Sequence, residues 1–70
     1  MSDILHHIED GVLTLTLNRV AKKNSLTAAM YAELADRLQA AHTDKAVRVI
    51  LIQGHETVFS AGNDLADFMH

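Results

Sequence analysis

The stretch Val47 to Gln53, VRVILIQ, is rich in β-branched residues and apolar on both faces once Arg48 at its start is passed. Strands of that kind need cover above and below, and they belong to parallel sheets on which helices pack. A parallel neighbour in turn requires a crossover connection of about a dozen residues or more. The segment upstream supplies it. AAMYAELADRLQAAH, residues 28–42, is built of strong helix formers, and Thr27 is placed as its N-cap. Met30 stands at N3, so no full capping box forms. Met30, Leu34, Leu38 and Ala41 recur at helical spacing with Tyr31 and Ala35 flanking, and Glu33, Asp36, Arg37 and Gln39 fall opposite. The polar turn Thr43 to Ala46 joins this amphipathic helix to the strand.

Before the helix comes a hairpin. Ile4 to Glu9 reads as a short strand and Val12 to Leu17 as a second, with Leu13, Leu15 and Leu17 on one face and Val12, Thr14 and Thr16 on the other. Asp10-Gly11 between them is the pair that takes positive φ at low cost in a two-residue turn. Asn18 to Ser25 has no apolar period and is loop. Hairpin, helix and strand together predict an α/β arrangement containing a right-handed βαβ crossover. One helix covers one face of such a sheet. Val49 and Leu51 on one side, and Ile50 and Ile52 on the other, each gain about 1.5–3 kcal/mol from burial, so the expectation is that something outside these 70 residues covers the second face.

Composition narrows the function classes. A chain of 70 residues is one small domain or part of one, burying about 60% of its unfolded surface. The absence of cysteine leaves no disulfide framework and no thiolate zinc site. A net charge of −3 gives no basic footprint for nucleic acid. No apolar run approaches the ~20 residues of a membrane span, and the first residues lack a secretory signal pattern, so no membrane partner and a cytoplasmic location are expected. His6 and His7 are adjacent on a strand and face opposite ways, and His42, His55 and His70 show no ligand spacing, so no metal site is expected. Ser25 and Ser60 lack a nucleophile-elbow context. Gly62 stands without the glycine spacing of a dinucleotide fold or P-loop.

One loop remains that could carry chemistry. After Gly54 and the polar turn His55-Glu56-Thr57, the chain runs Phe59-Ser60-Ala61-Gly62-Asn63-Asp64-Leu65 into a helical stub ending at His70. Small residues allow a tight turn, and Gly62 can take positive φ without a side chain to block a ligand. An amide following it at the start of a helix can stabilise an oxyanion. The bland reading is a strand-to-helix turn with Asp64 as its N-cap.

The order of these features resembles the start of the crotonase superfamily, the enoyl-CoA hydratase/isomerase family. The resemblance is carried by Asn18-Arg19-Val20, Asn24-Ser25-Leu26, Asp44-Lys45-Ala46-Val47-Arg48, Gly54, and Phe59 to Leu65, which runs over nearly all of the chain from Gly11 onward. It implies the N-terminal part of a single crotonase-like domain over residues 1–70, an incomplete piece of a ββα superhelix. It implies an acyl-CoA thioester as substrate, with coenzyme A as part of that substrate and no other cofactor. Hydration of a 2-enoyl-CoA through a thioester enolate is the activity it points to first, with a double-bond shift as the alternative.

By the same resemblance the backbone N–H of Asn63 is one of two oxyanion-hole donors. Ala61, Gly62, Asp64 and Leu65 line the acyl-CoA channel, and Ala21, Lys22 and Lys23 approach the CoA nucleotide. Lysines near phosphates act as point charges, although lysines are mostly exposed in any case. The second donor and the acid and base groups lie further along the family's chain, so these residues alone polarise a thioester without completing a reaction. Val20 departs from the family's usual proline. The family implies a homo-oligomer, a trimer or a pair of trimers. A rival of another class is a non-catalytic ββαβ module that buries its second sheet face by self-association, or an inactive truncated relic.

Overall fold

In a computed structural model, residues 3–68 are described. They form strands β1 (Ile4–Glu9) and β2 (Val12–Leu17), helix α1 (Ala28–His42), strand β3 (Val49–Gln53) and a short helix α2 (Leu65–Phe68). The sheet order is β1-β2-β3, with β1 antiparallel and β3 parallel to β2. The predicted hairpin and β-α-β unit are therefore both present. Asp10 and Gly11 take φ of 53° and 80°, the paired positive values that a two-residue turn of matching twist requires.

Cross-strand register sorts the faces. Ile4, His6 and Ile8 oppose Leu17, Leu15 and Leu13, and Leu13 and Leu15 oppose Ile50 and Ile52. The leucine face of β2 is buried, and with Ile4, Met30 and Ala41 it makes the core, against which Leu26, Leu34 and Val47 pack. Thr27 caps α1, its Oγ1 accepting from Met30 N at 3.1 Å.

Three expectations shift. The strand expected from Val47 begins at Val49, because β2 starts at Val12 and Val12 is the partner of Val49. Nothing in the sheet faces the two residues before it. Val47 N instead closes a turn on Asp44 O at 3.0 Å, and Arg48 N and Val49 N both donate to Gly11 O. On α1, Leu38 is 38% exposed while Arg37 is half-buried. The covered line runs Met30, Leu34, Arg37, Ala41, which descends the helix more directly than a line through Leu38. Arg37 and Ala41 also line a cleft of about 190 Å³ with His6, Ile8 and Leu13. Finally, the loop Asn18 to Ser25 contains one 3₁₀ turn, Val20–Lys22.

β3 is exposed along its whole length, Val49 by 56% and Ile52 by 39%. The helix approaches β1 and leaves β3 with open faces. No helix among the described residues is long and apolar enough to cross a membrane.

Candidate functional site

Two loops far apart in sequence, 18–26 and 54–64, are stitched together by hydrogen bonds. The first is shaped by Asn24, which is fully buried in a loop of polar residues. Its Oδ1 accepts from Arg19 N at 2.6 Å, and its Nδ2 reaches Val58 O at 3.5 Å, the outer limit of such a contact. Lys23 and Asn24 both lie in the left-handed region, φ 54° and 56°. Asparagine tolerates that region better than most residues, whereas lysine does not, and local strain of this sort tends to gather at functional sites.

The second loop is built on the carbonyls the first one offers. Ser60 Oγ donates to Asn24 O at 2.8 Å and accepts from Gly62 N at 3.0 Å. Ala61 N donates to Lys23 O at 3.0 Å. Leu26 then pairs with Asn63 as an isolated parallel bridge: Leu26 N donates to Gly62 O and Asp64 N donates to Leu26 O, both at 2.8 Å. In a parallel bridge the groups flanking the central residue make both bonds, and the central residue's own amide points the other way. Asn63 N–H accordingly has no acceptor among the described residues, and Asn63 is exposed. Gly62 takes φ 90°, and a Cβ placed on it meets nothing within 4 Å. The turn is tight, and the space over it is open.

Side chains hold the flanks. Arg19 Nη1 donates to Asp64 Oδ2 at 2.6 Å, to Ser25 O at 3.1 Å and to Ser25 Oγ at 2.9 Å. Asp64 Oδ1 accepts from Asp67 N at 3.0 Å, so the N-cap role expected of Asp64 is realised. Hydrogen bonding to Arg19, then to the Asp67 amide, holds the Asp64 carboxyl below the usual carboxylate range. With both oxygens engaged, Asp64 is a clamp between loops. Asp67 Oδ2 accepts from Ala28 N at 2.7 Å, and Tyr31 OH donates to Asn63 Oδ1 at 2.6 Å. Tyr31 and Phe68 meet edge to face with centroids 5.9 Å apart.

The fold thus brings the residues expected at the site into one region. Ala21, Lys22 and Lys23 are exposed and are joined to the Ala61–Leu65 turn through Lys23 O, and Leu65 is 71% exposed. Arg19 and Asn24 entered the sequence reading only as parts of a resemblance, and Tyr31 and Asp67 not as site residues. An asparagine between a lysine and a serine does hint at a left-handed turn. Nothing local predicts that Arg19 will reach Asp64. Among the described residues, no three histidine, aspartate or glutamate side chains are grouped to hold a metal ion, and His70 lies outside the described residues.

Residues 7–70 match the sequence profile of the enoyl-CoA hydratase/isomerase family. The chain belongs to that family. It is 45% identical over 67 residues to the 1,2-epoxyphenylacetyl-CoA isomerase of Escherichia coli strain K12, an alignment covering 96% of this chain and 26% of that protein. It is 42% identical over 65 residues to the 2,3-dehydroadipyl-CoA hydratase of the same strain, covering 93% and 26% respectively. Among solved structures, OdaA from Pseudomonas aeruginosa superimposes with a TM-score of 0.95 at 47% identity, over 100% of this chain and 28% of that one. The architecture is the N-terminal portion of the crotonase fold, and the chain spans about a quarter of the length of the curated relatives it matches.

Proposed function

We propose that this chain supplies one half of the oxyanion hole of an enoyl-CoA hydratase, the donor being the backbone N–H of Asn63. The observation that carries the reading is the isolated bridge to Leu26. It uses the groups on either side of Asn63 and leaves that one amide directed outward beside an open glycine. An amide held in this way costs no reorganisation when charge develops before it, and one such donor is worth about 2.7–4 kcal/mol in related sites.

In the proposed reaction, water adds to Cβ of a 2-enoyl-CoA. The π electrons move through Cα to the thioester oxygen, which Asn63 N–H stabilises, and Cα is then protonated as the thioester re-forms. Carboxylates outside these residues move the protons. Ala61, Gly62, Asp64 and Leu65 surround the acyl channel, Asp64 through its backbone. Ala21, Lys22 and Lys23 meet the CoA nucleotide, its phosphates facing the two ammonium groups. A double-bond shift passes through a thioester dienolate that the same amide can stabilise, and it is the second reading. It is favoured by the mouse relative named enoyl-CoA delta isomerase 3, 37% identical over 68 residues.

An amide NMR titration of the chain with a non-hydrolysable acyl-CoA analogue tests the binding half of the reading. Selective shifts at Ala61 to Asp64 and at Lys22-Lys23 are expected; dispersed peaks that ignore the ligand would sink it. Steady-state assays of the whole enzyme with a 2-enoyl-CoA and a 3-enoyl-CoA separate hydratase from isomerase, and turnover of neither defeats both.

A further inference from the structure

We propose that Arg19 is a positioning residue for the Asn63 amide, acting through Asp64. Asn63 is an exposed residue in a turn of small side chains, followed by a helix of four residues. Tyr31 OH ties down the Asn63 side chain at 2.6 Å, but that bond does not set the direction of the backbone amide. The fixing comes from its neighbours. On one side Gly62 is held by Leu26 N and by Ser60 Oγ. On the other, Asp64 N is held by Leu26 O, and its side chain by Arg19 Nη1 at 2.6 Å.

That same Nη1 also donates to the carbonyl and hydroxyl of Ser25, the residue before Leu26. One guanidinium nitrogen therefore binds both strands of the bridge, Ser25 beside Leu26 and Asp64 beside Asn63. If Arg19 lets go, Asp64 loses its side-chain tie to Ser25 beside Leu26. The peptide plane carrying Asn63 N–H, still bonded through Gly62 O to Leu26 N, then loses its clamp on the Asp64 side and gains freedom. Both side chains are largely shielded, with exposures of 21% and 14%, so the pair is less open to screening than a surface ion pair. Arg19 N additionally binds Asn24 Oδ1, which fixes the arginine's own backbone. The inference rests on the reading of Asn63 as an oxyanion donor for its functional meaning, and on geometry alone for the mechanics.

The test is backbone ¹⁵N relaxation on the full 70-residue chain, wild type against R19M and D64N, in conditions where the β1–β2 hairpin amides keep their native shifts. D64N retains an oxygen for the cap and is the milder change should R19M unfold. In the wild type the Asn63 amide is expected to have an order parameter near that of rigid backbone, about 0.85, and in each variant it should fall below about 0.6 while hairpin values stay unchanged. A merely structural pair lowers global stability without loosening Asn63 selectively. Unchanged order at Asn63 in both variants overturns the inference, as does a mobile Asn63 in the wild type. Titrating the same samples with the acyl-CoA analogue separates the two ideas. A rigid wild-type Asn63 that ignores the analogue defeats the oxyanion reading while leaving the positioning result standing. An analogue shift at Asn63 that is equally strong in R19M defeats the positioning inference while the reading survives.

Discussion

Arg19 and Asp64 are separated by 45 positions in sequence, yet Nη1 and Oδ2 lie 2.6 Å apart and close the circuit that holds the Asn63 turn. A carboxyl held below its ordinary pKa binds fewer protons folded than unfolded, so its stabilisation is fully present above the unfolded value. It is lost as pH falls through the lowered folded value. Urea midpoints of wild type and D64N should therefore differ at neutral pH, begin to converge as pH falls below about 4, and meet only below the lowered folded value. A gap that stays constant down to the acid limit would show that the charge contributes nothing.

Asn24 combines full burial with a φ of 56°, and two substitutions separate the parts. N24G keeps the dihedral and loses the Arg19 N contact, leaving a part-buried donor unpaired at a cost of about 1–3 kcal/mol. N24A loses the same contact and, unlike N24G, keeps a Cβ in the left-handed region without the amide that lets asparagine tolerate it, which places it about 1–2 kcal/mol below N24G. Chemical denaturation should rank wild type above N24G above N24A. Equal losses for the two variants would mean that the dihedral carries no penalty.

The elements were legible where the pattern was local. The Asp10-Gly11 turn, the leucine alternation of β2 and the cap at Thr27 each depend on neighbours within a few residues, and each is found as read. The start of β3 was not, since it depends on where β2 begins across the sheet. The choice between Arg37 and Leu38 on α1 depends on which line of the helix is turned to the cleft against His6 and Ile8 of β1, a long-range matter. At the site, Gly62 and the capping role of Asp64 follow from turn chemistry, whereas the reach of Arg19 to Asp64 and of Tyr31 to Asn63 is set by packing of distant segments. The exposure of β3 agrees in direction with its two-sided apolar sequence, which asks for cover these residues do not supply.

Two glycines serve opposite needs. A Cβ on Gly54 meets Phe59 Cα and O at 2.5 Å and Val58 O at 2.8 Å, all backbone. Gly54→Ala must therefore push the two chain segments apart, costing about 1–3 kcal/mol. Gly62 has room but an unfavourable φ of 90° for an L residue, so Gly62→Ala costs about 1–3 kcal/mol through the backbone alone. In a synthetic chain, D-alanine at position 62 suits positive φ and should restore most of the loss. If L- and D-alanine there destabilise equally, contact rather than conformation is responsible.

The lysines give a prediction that bears on ligand rather than stability. Lys22 and Lys23 are exposed, and Lys23 is bound to the Ala61 turn through its carbonyl, which leaves its side chain out of the loop stitching. Replacing either with glutamine should leave the unfolding midpoint nearly unchanged, as for most surface substitutions. On the proposed function, affinity for CoA itself should fall up to about fivefold per charge, the ~1 kcal/mol upper range of an exposed ion pair. Because the Debye length shortens from about 10 Å at 0.1 M salt to about 3 Å at 1 M, the difference between wild type and variant should vanish in high salt. Calorimetric titration of CoA at the two ionic strengths checks both statements. A loss of affinity that persists at 1 M salt would assign the lysines a role in shape rather than charge, and no loss at low salt would remove them from the nucleotide contact altogether.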